Sequence, residues 1–352
     1  MDRVLHSAGH VRSGRRRGNA AAPAVSEYYD HCASDYRILW RTDENGTIHF
    51  GYFDDVAIPW RRRVVEGMQG VVRHTAGSFA AAVGLGSLLL HRRTDDEHAV
   101  RWLRIAASGR ASRHDVAQQR MTDVCANAVA LQPGQRVLDA GCGVCGPGLR
   151  LAARYGASVL ALNLQRRQLA EARRRAGIDP AGARVRFSLQ DYTEMGVAGA
   201  SVDVVWGLES ICHCDDKAAF IGEAHRVLRP GGRVVVADFF QSDRALSPDD
   251  ARQLRTWTQG WAIPGLASVS GFGEALEAAG FRHVRYRDIG QHVVPSSRRL
   301  YKASLVAIPV DLTLRALGVR TAIQGRNVSA AYWQYRSLRA GAWTYGVFVA
   351  EK

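Results

Sequence analysis

Two side chains that can accept a proton stand four positions apart in the segment Gly207-Leu-Glu-Ser-Ile-Cys-His213. They are Glu209 and His213, and they follow an apolar stretch at 201–206 that predicts a buried β-strand. Ligands of open α/β sheets bind beyond the carboxyl ends of the strands, which is where this pair is expected to lie. We therefore interpret Glu209 as a catalytic carboxylate and His213 as a residue that orients it or serves as an alternative base. The competing interpretation is that Glu209 only caps the helix that follows it.

A glycine-rich turn runs from Val137 through Leu-Asp-Ala-Gly-Cys-Gly-Val-Cys-Gly-Pro to Gly148, between a short apolar strand and a predicted helix at 149–155. Glycine has no Cβ and adopts positive φ at little cost, so such a turn can lie directly against a ligand. The N–H groups at the start of the helix point to the same place. The pattern predicts a site for a nucleotide-like ligand, with Asp139, Gly141 and Gly143 as candidate contacts.

Polar residues also follow the next two predicted strands. The second strand, at 157–162, is followed by Asn163, 22 residues beyond Gly141, and the Asn163 amide can both donate to and accept from a ribose diol. The third strand, at 184–189, is followed by a carboxylate and an aromatic ring that suit an adenine, Asp191 and Tyr192. The remaining candidates for cofactor binding near these strand ends are Leu164, Gln168 and Gln190.

These motifs together resemble those of class I S-adenosylmethionine-dependent methyltransferases, and more narrowly the sterol, tocopherol and prenyl-diphosphate C-methyltransferase group. The resemblance covers about residues 115–290 and includes the glycine-rich turn, the Asn after strand two and the Glu-x-x-x-His after strand four. It implies S-adenosylmethionine as the cofactor, with Asp139 beside the methionine amino group. The group usually has glycine at position 145, where this chain has Cys145, and this predicts slight strain in the turn.

The resemblance also gives a role to the aromatic-rich segment at 26–54. In the resembled group this segment folds over the cofactor and lines the substrate pocket. We therefore expect Tyr29 to contact the cofactor, and Trp40 and His49 to contact the substrate. Trp261, in the segment at 241–266 after strand five, is a further candidate substrate contact. The alternative for each aromatic residue is ordinary packing against the cap.

The reaction that the resemblance implies is methyl transfer to an alkene carbon of an isoprenoid. Attack by an alkene carbon leaves a tertiary carbocation, which aromatic faces such as those of Trp40 and Trp261 can stabilise. Glu209 would then remove the proton. The alternative is an O- or N-methyltransferase of a small natural-product intermediate, in which His213 deprotonates a hydroxyl or an amine.

A prenyl diphosphate is the expected form of the isoprenoid. Arginine forms paired hydrogen bonds with phosphate, so residues 61–63, or Arg298 and Arg299, are candidates to clamp it, with Mg²⁺ as a further ligand of a diphosphate. Dedicated metal ligands are not expected. Cys142, Cys145, Cys212 and Cys214 follow neighbouring strands, but small buried thiols are the simpler interpretation.

The fold class predicted is α/β: a doubly wound, seven-stranded Rossmann-like sheet, its last strand antiparallel as the resemblance implies, with a mainly helical cap. We expect a disordered basic tail at 1–25 and a helical N-terminal cap at 26–112. The cofactor-binding core is expected at 113–290. A cap insert at 291–341, between strands six and seven, and the last core strand at 342–352 complete the chain.

The formal net charge of +14 comes almost wholly from arginine. Nucleic acid is one class of partner for a basic chain, but no basic stretch here alternates with stacking aromatics as in a recognisable binding module. A small hydrophobic or diphosphate substrate is the expected partner. No cleavable signal and no integral membrane span are predicted, so the protein is expected to be cytoplasmic, and a homo-oligomer is left open. A cofactor-binding regulator without turnover and a nucleic-acid methyltransferase are the hypotheses from other classes.

Overall fold

A seven-stranded sheet forms the centre of the molecule in a computed structural model that describes residues 19–40, 42, 46–54 and 113–352. The strands are β1 (Arg136–Ala140), β2 (Ser158–Asn163), β3 (Val185–Leu189), β4 (Val202–Leu208), β5 (Leu228–Gln241), β6 (Arg282–Asp288) and β7 (Trp343–Glu351). Their order is β3-β2-β1-β4-β5-β7-β6; β1 to β5 are parallel, and β7 is antiparallel to both β5 and β6. The predicted Rossmann-like sheet with an antiparallel last strand is confirmed.

Helices cover both faces of this sheet. The helices of the described ranges are α1 (Ala22–Trp40), α2 (Arg113–Ala128), α3 (Gly146–Tyr155), α4 (Arg166–Ile178), α5 (Lys217–Val227), α6 (Pro248–Gly260), α7 (Val269–Ala278), α8 (Gly290–Ala316) and α9 (Ala322–Arg339). Successive strand residues point to opposite faces, so Val137 and Leu138 of β1 belong to two separate apolar clusters. All seven residues of β4 are buried, as expected for a central parallel strand.

The Pro-Gly-Gly sequence at 230–232 lies inside β5. Pairing along β4 shifts from Val202 opposite Leu228 to Val204 opposite Arg233, so the intervening residues of β5 bulge out. Gly231 has φ 72°, which glycine adopts readily. The strand therefore begins before the turn sequence and continues after it.

The cap is formed by α1 and by the α8–α9 pair, which is inserted between β6 and β7. α8 begins at Gly290 and α9 ends at Arg339, so the pair fills almost the whole of the expected cap insert at 291–341. α1 begins at Ala22, inside the segment that was expected to be a tail. Residues 55–112, which complete the expected N-terminal cap, lie outside the described residues, as do 1–18. In the ranges that are described, no helix is long and apolar enough to cross a membrane.

Candidate active site

One pocket opens at the carboxyl ends of β1, β2 and β4 and is covered by α1 and by residues 46–49. The predicted site residues that line it are Tyr29, His49, Asp139, Gly141, Gly143, Asn163, Leu164, Gln168, Tyr192, Glu209 and His213. Four other candidates are not among its lining residues: Trp40, Gln190, Asp191 and Trp261. The parallel sheet thus brings together residues that are up to 184 positions apart in the chain, as the contact between Tyr29 and His213 illustrates.

At Gly141 and Gly146 the glycine-rich turn leaves no room for a Cβ. Gly141 has φ 104°, and a Cβ on it would lie 2.5 Å from the Cβ of Ser210. Gly146 at the start of α3 donates its N–H to the carbonyl of Gly46 at 2.8 Å, so the N-terminal segment rests directly on the turn. Cys145 adopts φ 67°, which agrees with the strain expected where the resembled group has glycine.

The Asn163 amide is engaged within the protein. Its Nδ2 donates to the carbonyl of Gly143 at 3.0 Å and to Oε1 of Gln168 at 3.1 Å, and its Oδ1 accepts from the N–H of Gln165 at 2.9 Å. To bind Asn163, a ribose diol would have to replace the hydrogen bond between Asn163 and Gln168. The contact predicted for Asn163 therefore requires Gln168 to move or to bind the ribose itself.

The side chains after β3 also bond within their own loop. Asp191 Oδ1 accepts from the N–H and the hydroxyl of Thr193, both at 2.8 Å. Gln190 Nε2 donates to Ser188 Oγ at 2.7 Å. Only Tyr192 of this group lines the pocket, and its hydroxyl donates to the carbonyl of Ser210 at 2.9 Å, which fixes its ring beside the turn.

Asp139 presents a buried oxygen to the turn. Its Oδ2 has no hydrogen-bond partner, although the side chain is only 3% exposed. Burial raises the pKa of this carboxyl from 3.8 to about 7. An uncompensated buried carboxylate is costly, so a cationic group bound here would be stabilised.

Glu209 is held from two sides. Its Oε1 accepts from the backbone N–H of Phe50 at 2.7 Å and from the hydroxyl of Tyr345 on β7 at 2.8 Å. Its Oε2 accepts no hydrogen bond from the described residues, and the side chain lines the pocket. Burial raises the pKa of the carboxyl well above its usual value, and these two bonds lower it in part. Glu209 also has φ 48°, a left-handed conformation that costs about 1–3 kcal/mol outside glycine and is common at functional sites.

His213 is a neutral hydrogen-bond acceptor. Its Nδ1 lies 3.3 Å from the carbonyl of Ala262, which can only accept, so Nδ1 carries the proton. Nε2 therefore has a lone pair, to which the hydroxyl of Tyr29 donates at 3.2 Å. Burial lowers the pKa of this imidazole to about 4. Any proton transfer to His213 requires the Tyr29 hydroxyl to be displaced.

The three candidate substrate contacts have different positions. His49 lines the pocket; its Nδ1 donates to the carbonyl of Phe50 at 2.9 Å, and burial lowers its pKa to about 4. Trp40 is buried behind the pocket and stacks on Phe50 with ring centroids 6.0 Å apart. Trp261 packs edge-on against Trp257. The two tryptophans support neighbouring side chains, and their contact with a substrate stays a prediction.

Several residues of the site were not identified from the sequence. Phe50 contributes through its backbone, which its side chain does not indicate. Tyr345 lies in the last strand, 136 positions from Glu209, and only the pairing of β7 with β5 brings it close. Asp238 lies in the buried part of β5, accepts from the N–H of Cys212 at 2.9 Å, and has its pKa raised to about 6 by burial. Its place at the carboxyl end of a predicted parallel strand was the available signal.

The cysteines and the candidate arginines are the remaining side chains for which the sequence suggested a metal or diphosphate contact. All six cysteines are free and buried, and the residues described contain no group of three or more His, Cys, Asp or Glu side chains placed to hold a metal ion. Arg298 and Arg299 of α8 do not line the pocket, and Arg299 donates to the carbonyl of Leu39. Residues 61–63 lie outside the described residues.

Comparisons with known proteins agree with this geometry. A family profile described as a methyltransferase domain matches residues 138–236. The chain is 31% identical over 212 residues to an O-methyltransferase of Pyrenophora dematioidea; the match covers 60% of this chain and 78% of that protein. It is 37% identical over 153 residues to a 2-methyl-6-phytyl-1,4-hydroquinone methyltransferase of a Synechocystis strain, covering 43% of this chain and about half of that protein.

A solved structure has a similar fold over nearly the whole chain. It is geranyl diphosphate C-methyltransferase from Streptomyces coelicolor A3(2), in complex with Mg²⁺, geranyl-S-thiolodiphosphate and S-adenosyl-L-homocysteine. The TM-score is 0.65 at 17% identity, with 96% of this chain and 99% of that chain covered. At this identity the similarity establishes the fold.

Proposed function

The chain belongs to the class I S-adenosylmethionine-dependent methyltransferases, and we propose that it methylates an alkene carbon of an isoprenoid, with Glu209 removing the proton. The observation that carries this proposal is the setting of the Glu209 carboxylate in the pocket lining, where Oε1 is fixed by two donors and Oε2 accepts no hydrogen bond from the described residues. A carboxylate in a buried setting is a stronger base than one in water. Oε2 is therefore the atom that would receive the proton.

The glycine-rich turn and its surroundings fit the cofactor. When bound, S-adenosylmethionine supplies a methyl group activated by the sulfonium. Gly141 and Gly143 bring main chain to the pocket wall, where an adenosyl group can lie against it, and Tyr192 offers an aromatic face. The unpartnered Oδ2 of Asp139 suits an ammonium group. Gln168 would bind a ribose hydroxyl in place of its hydrogen bond with Asn163.

The charges around the pocket favour a cationic intermediate. Among the described residues that line it, Asp139 and Glu209 are acidic, and there is no lysine or arginine. Carboxylates in a poorly hydrated site stabilise a positive charge and destabilise a negative one. A carbocation formed on the acceptor is therefore stabilised beside Glu209, whereas a phenolate or an alkoxide is not.

The apolar part of the lining suits an isoprenoid chain. Val25 of α1, Ile48 and Leu208 contribute to the walls, and α1 covers the opening and limits the entry of water. A diphosphate group finds no cationic partner among the lining residues that are described. We propose that residues 61–63 bind the diphosphate, together with Mg²⁺ that the diphosphate itself holds.

A second candidate is O-methylation of a small hydroxylated acceptor. Its support is the His213 imidazole, which is neutral and has a lone pair on Nε2, as a general base requires. The O-methyltransferase from Pyrenophora dematioidea is a relative of that kind. In this alternative Glu209 orients the acceptor and His213 takes its proton.

Two substitutions distinguish these reactions, assayed with labelled S-adenosylmethionine against prenyl alcohols, prenyl diphosphates and phenols. With an alkene acceptor, Glu209→Gln is expected to lower kcat by about 10²-fold to 10⁴-fold, the contribution typical of a general base. His213→Gln should lower it less than tenfold, since a positioning role contributes less than ~1.4 kcal/mol. Cofactor affinity, measured by calorimetry, should stay within about twofold in both variants, because neither side chain is proposed to bind the cofactor.

The reverse order of losses, with a methyl ether as product, would establish O-methylation and overturn carbon methylation. Turnover of an alkene acceptor by Glu209→Gln within a few-fold of the parent would remove Glu209 from the role of base. Mass spectrometry of the product identifies the methylated atom.

A further inference from the structure

Exposed apolar side chains are concentrated along the second half of α8 and just after its end. The set called here the α8 patch comprises three residues of the helix and two that follow it: Leu305, Val306, Leu312, Leu317 and Val319. They are 43–68% exposed and make up five of the eight large apolar side chains that are exposed in the described residues. Leu305 and Leu312 are seven positions apart, so they lie on the same side of the helix. Pro309 and Ala316, which are also exposed, follow them by four positions each and share that side.

The second half of α8 exposes apolar side chains although its fully buried positions beyond Leu300 are polar, Ser304 and Asp311. Asp311 is buried because it pairs with Arg315 at 3.1 Å and with Arg320 at 2.7 Å. Apolar side chains on other sides of the helix, such as those of Val310 and Leu314, are half-buried, whereas Leu305 and Leu312 face outward. Contiguous exposed apolar side chains of this kind mark interaction sites.

The charges that border the α8 patch are positive. Arg298 and Lys302 are exposed on the preceding turns of the same helix, and Arg315 and Arg326 are exposed near its end. The single carboxylate of α8, Asp311, is buried within its ion pairs. A surface that is apolar at its centre and basic at its border complements an anionic lipid layer. A second copy of this chain fits less well, because two such faces would bring like charges together.

We propose that the α8 patch docks this protein onto an anionic lipid bilayer. Leucine and valine side chains would enter the boundary between the head groups and the acyl chains, and Arg298 and Lys302 would lie over anionic head groups. The pocket for an apolar acceptor and the docking surface belong to the same chain, but the docking is inferred from α8 alone. It is independent of which atom is methylated.

Vesicle sedimentation tests this inference on the full-length chain. The protein is mixed with vesicles of pure phosphatidylcholine or of phosphatidylcholine with about one third phosphatidylglycerol. The patch variant is Leu305→Gln/Leu312→Gln, and the matched control is Val116→Gln/Ile178→Gln, which changes exposed helical apolar residues elsewhere without altering the charge. Circular dichroism establishes that all variants are folded.

The parent is expected to bind the anionic vesicles at least tenfold more tightly than the neutral ones. The patch variant should lose at least tenfold of that affinity, and the control should retain it within twofold. Replacing Arg298 and Lys302 by glutamine should weaken binding by about fivefold per residue, the contribution of a basic residue at an anionic surface.

Three results would overturn the proposal. The first is that the parent sediments with neither type of vesicle. The second is that the patch variant binds as tightly as the parent, which would mean that net charge alone accounts for the binding. A dimer in size-exclusion chromatography that Leu305→Gln/Leu312→Gln converts to a monomer, with no vesicle binding by the parent, would show that a second copy covers the face.

Discussion

At the scale of single residues, the site depends on carboxyl groups whose protonation is set by burial. Asp139 is buried without a partner for Oδ2, whereas Glu209 is fixed through Oε1 and accepts no hydrogen bond from the described residues at Oε2. The pKa of both groups is raised by burial, which makes each a better proton acceptor or cation ligand than a carboxylate in water. The same desolvation has the opposite effect on His49 and His213, whose pKa values fall to about 4, so both imidazoles are neutral near pH 7.

Cofactor affinity is expected to fall in acid because of Asp139. Its pKa is raised to about 7 in the free protein, so below that pH the carboxyl is protonated and must lose its proton before it can bind the cofactor's ammonium group. The dissociation constant measured by calorimetry should rise by about tenfold per pH unit below 7 and level off above it. Asp139→Asn should bind weakly and without this dependence; a parent affinity that does not vary between pH 5.5 and 8 would contradict the proposed contact.

Tyr345→Phe is expected to shift the pH profile of turnover. The lost hydroxyl stabilises the ionised form of Glu209, and a hydrogen bond to a charged group contributes about 1.5–3 kcal/mol, so the pKa of Glu209 should rise by about one unit or more. The acidic limb of kcat/KM should move to higher pH by that amount, and activity should recover in alkali.

Tyr286→Phe on β6 is the matched control for that experiment, because the Tyr286 hydroxyl is not among the hydrogen-bond partners of Glu209. Its pH profile should be that of the parent. If the acidic limb of kcat/KM does not move in Tyr345→Phe and activity is lower at every pH, Tyr345 has a structural role and does not affect the proton affinity of Glu209.

At the scale of elements, the pocket is closed by a helix that other elements hold in place. α1 contributes Ser26 and Tyr29 to the lining and packs against α9. Its anchor is Arg320, between α8 and α9, which donates to both oxygens of Asp35 at 2.9 and 2.8 Å and to Asp311 at 2.7 Å. These ion pairs are partly to fully buried, so they join the two parts of the cap more firmly than a surface pair would.

Arg320→Met should loosen α1 and destabilise the protein. Two carboxylates lose a partner, and although Asp311 keeps Arg315, we expect a loss of about 2 kcal/mol or more in the free energy of unfolding by urea. The cofactor should also dissociate faster, since α1 covers it. Arg174→Met breaks an exposed pair with Glu171 and should cost less than about 0.5 kcal/mol. Equal stabilities of the two variants would show that the Arg320 network does not hold α1.

At the scale of the whole molecule, the last strand connects the sheet to the site. β7 lies between β5 and β6 and pairs with both, and its side chains are buried from Trp343 to Ala350 except Thr344. Both sides of this strand pack in apolar clusters, and Tyr345 reaches Glu209 from one of them. The strand that completes the sheet therefore also positions the proposed base.

A chain that ends at Gly341 is expected to lose cooperative folding. Without β7, β5 and β6 lose their partner, and the apolar surface that Trp343, Tyr345 and Phe348 cover is exposed. Thermal unfolding followed by circular dichroism should show no sharp transition. Removal of Lys352 alone is the control and should keep the transition. A truncated chain that still unfolds cooperatively would mean that β7 is not required for the core.

The sequence by itself determined the sheet and one half of the site. Apolar strands, glycine turns and polar residues at strand ends are local patterns, and parallel strands bring their carboxyl ends to one edge whatever the rest of the chain does. For that reason Asp139, Gly141, Tyr192, Glu209 and His213 could be placed at one pocket before the structure was known, although the roles given to them stay predictions.

Only the tertiary structure decided which partners those residues have. Tyr345 and the N–H of Phe50 reach Glu209 across 136 and 159 positions, Trp40 and Trp261 lie behind the pocket lining, and Asn163 is engaged with Gln168. The outward apolar face of α8 is also a tertiary result, because Asp311 is turned inward by arginines on other turns. Side-chain contacts between distant segments depend on the packing of whole elements, and local sequence patterns do not specify that packing.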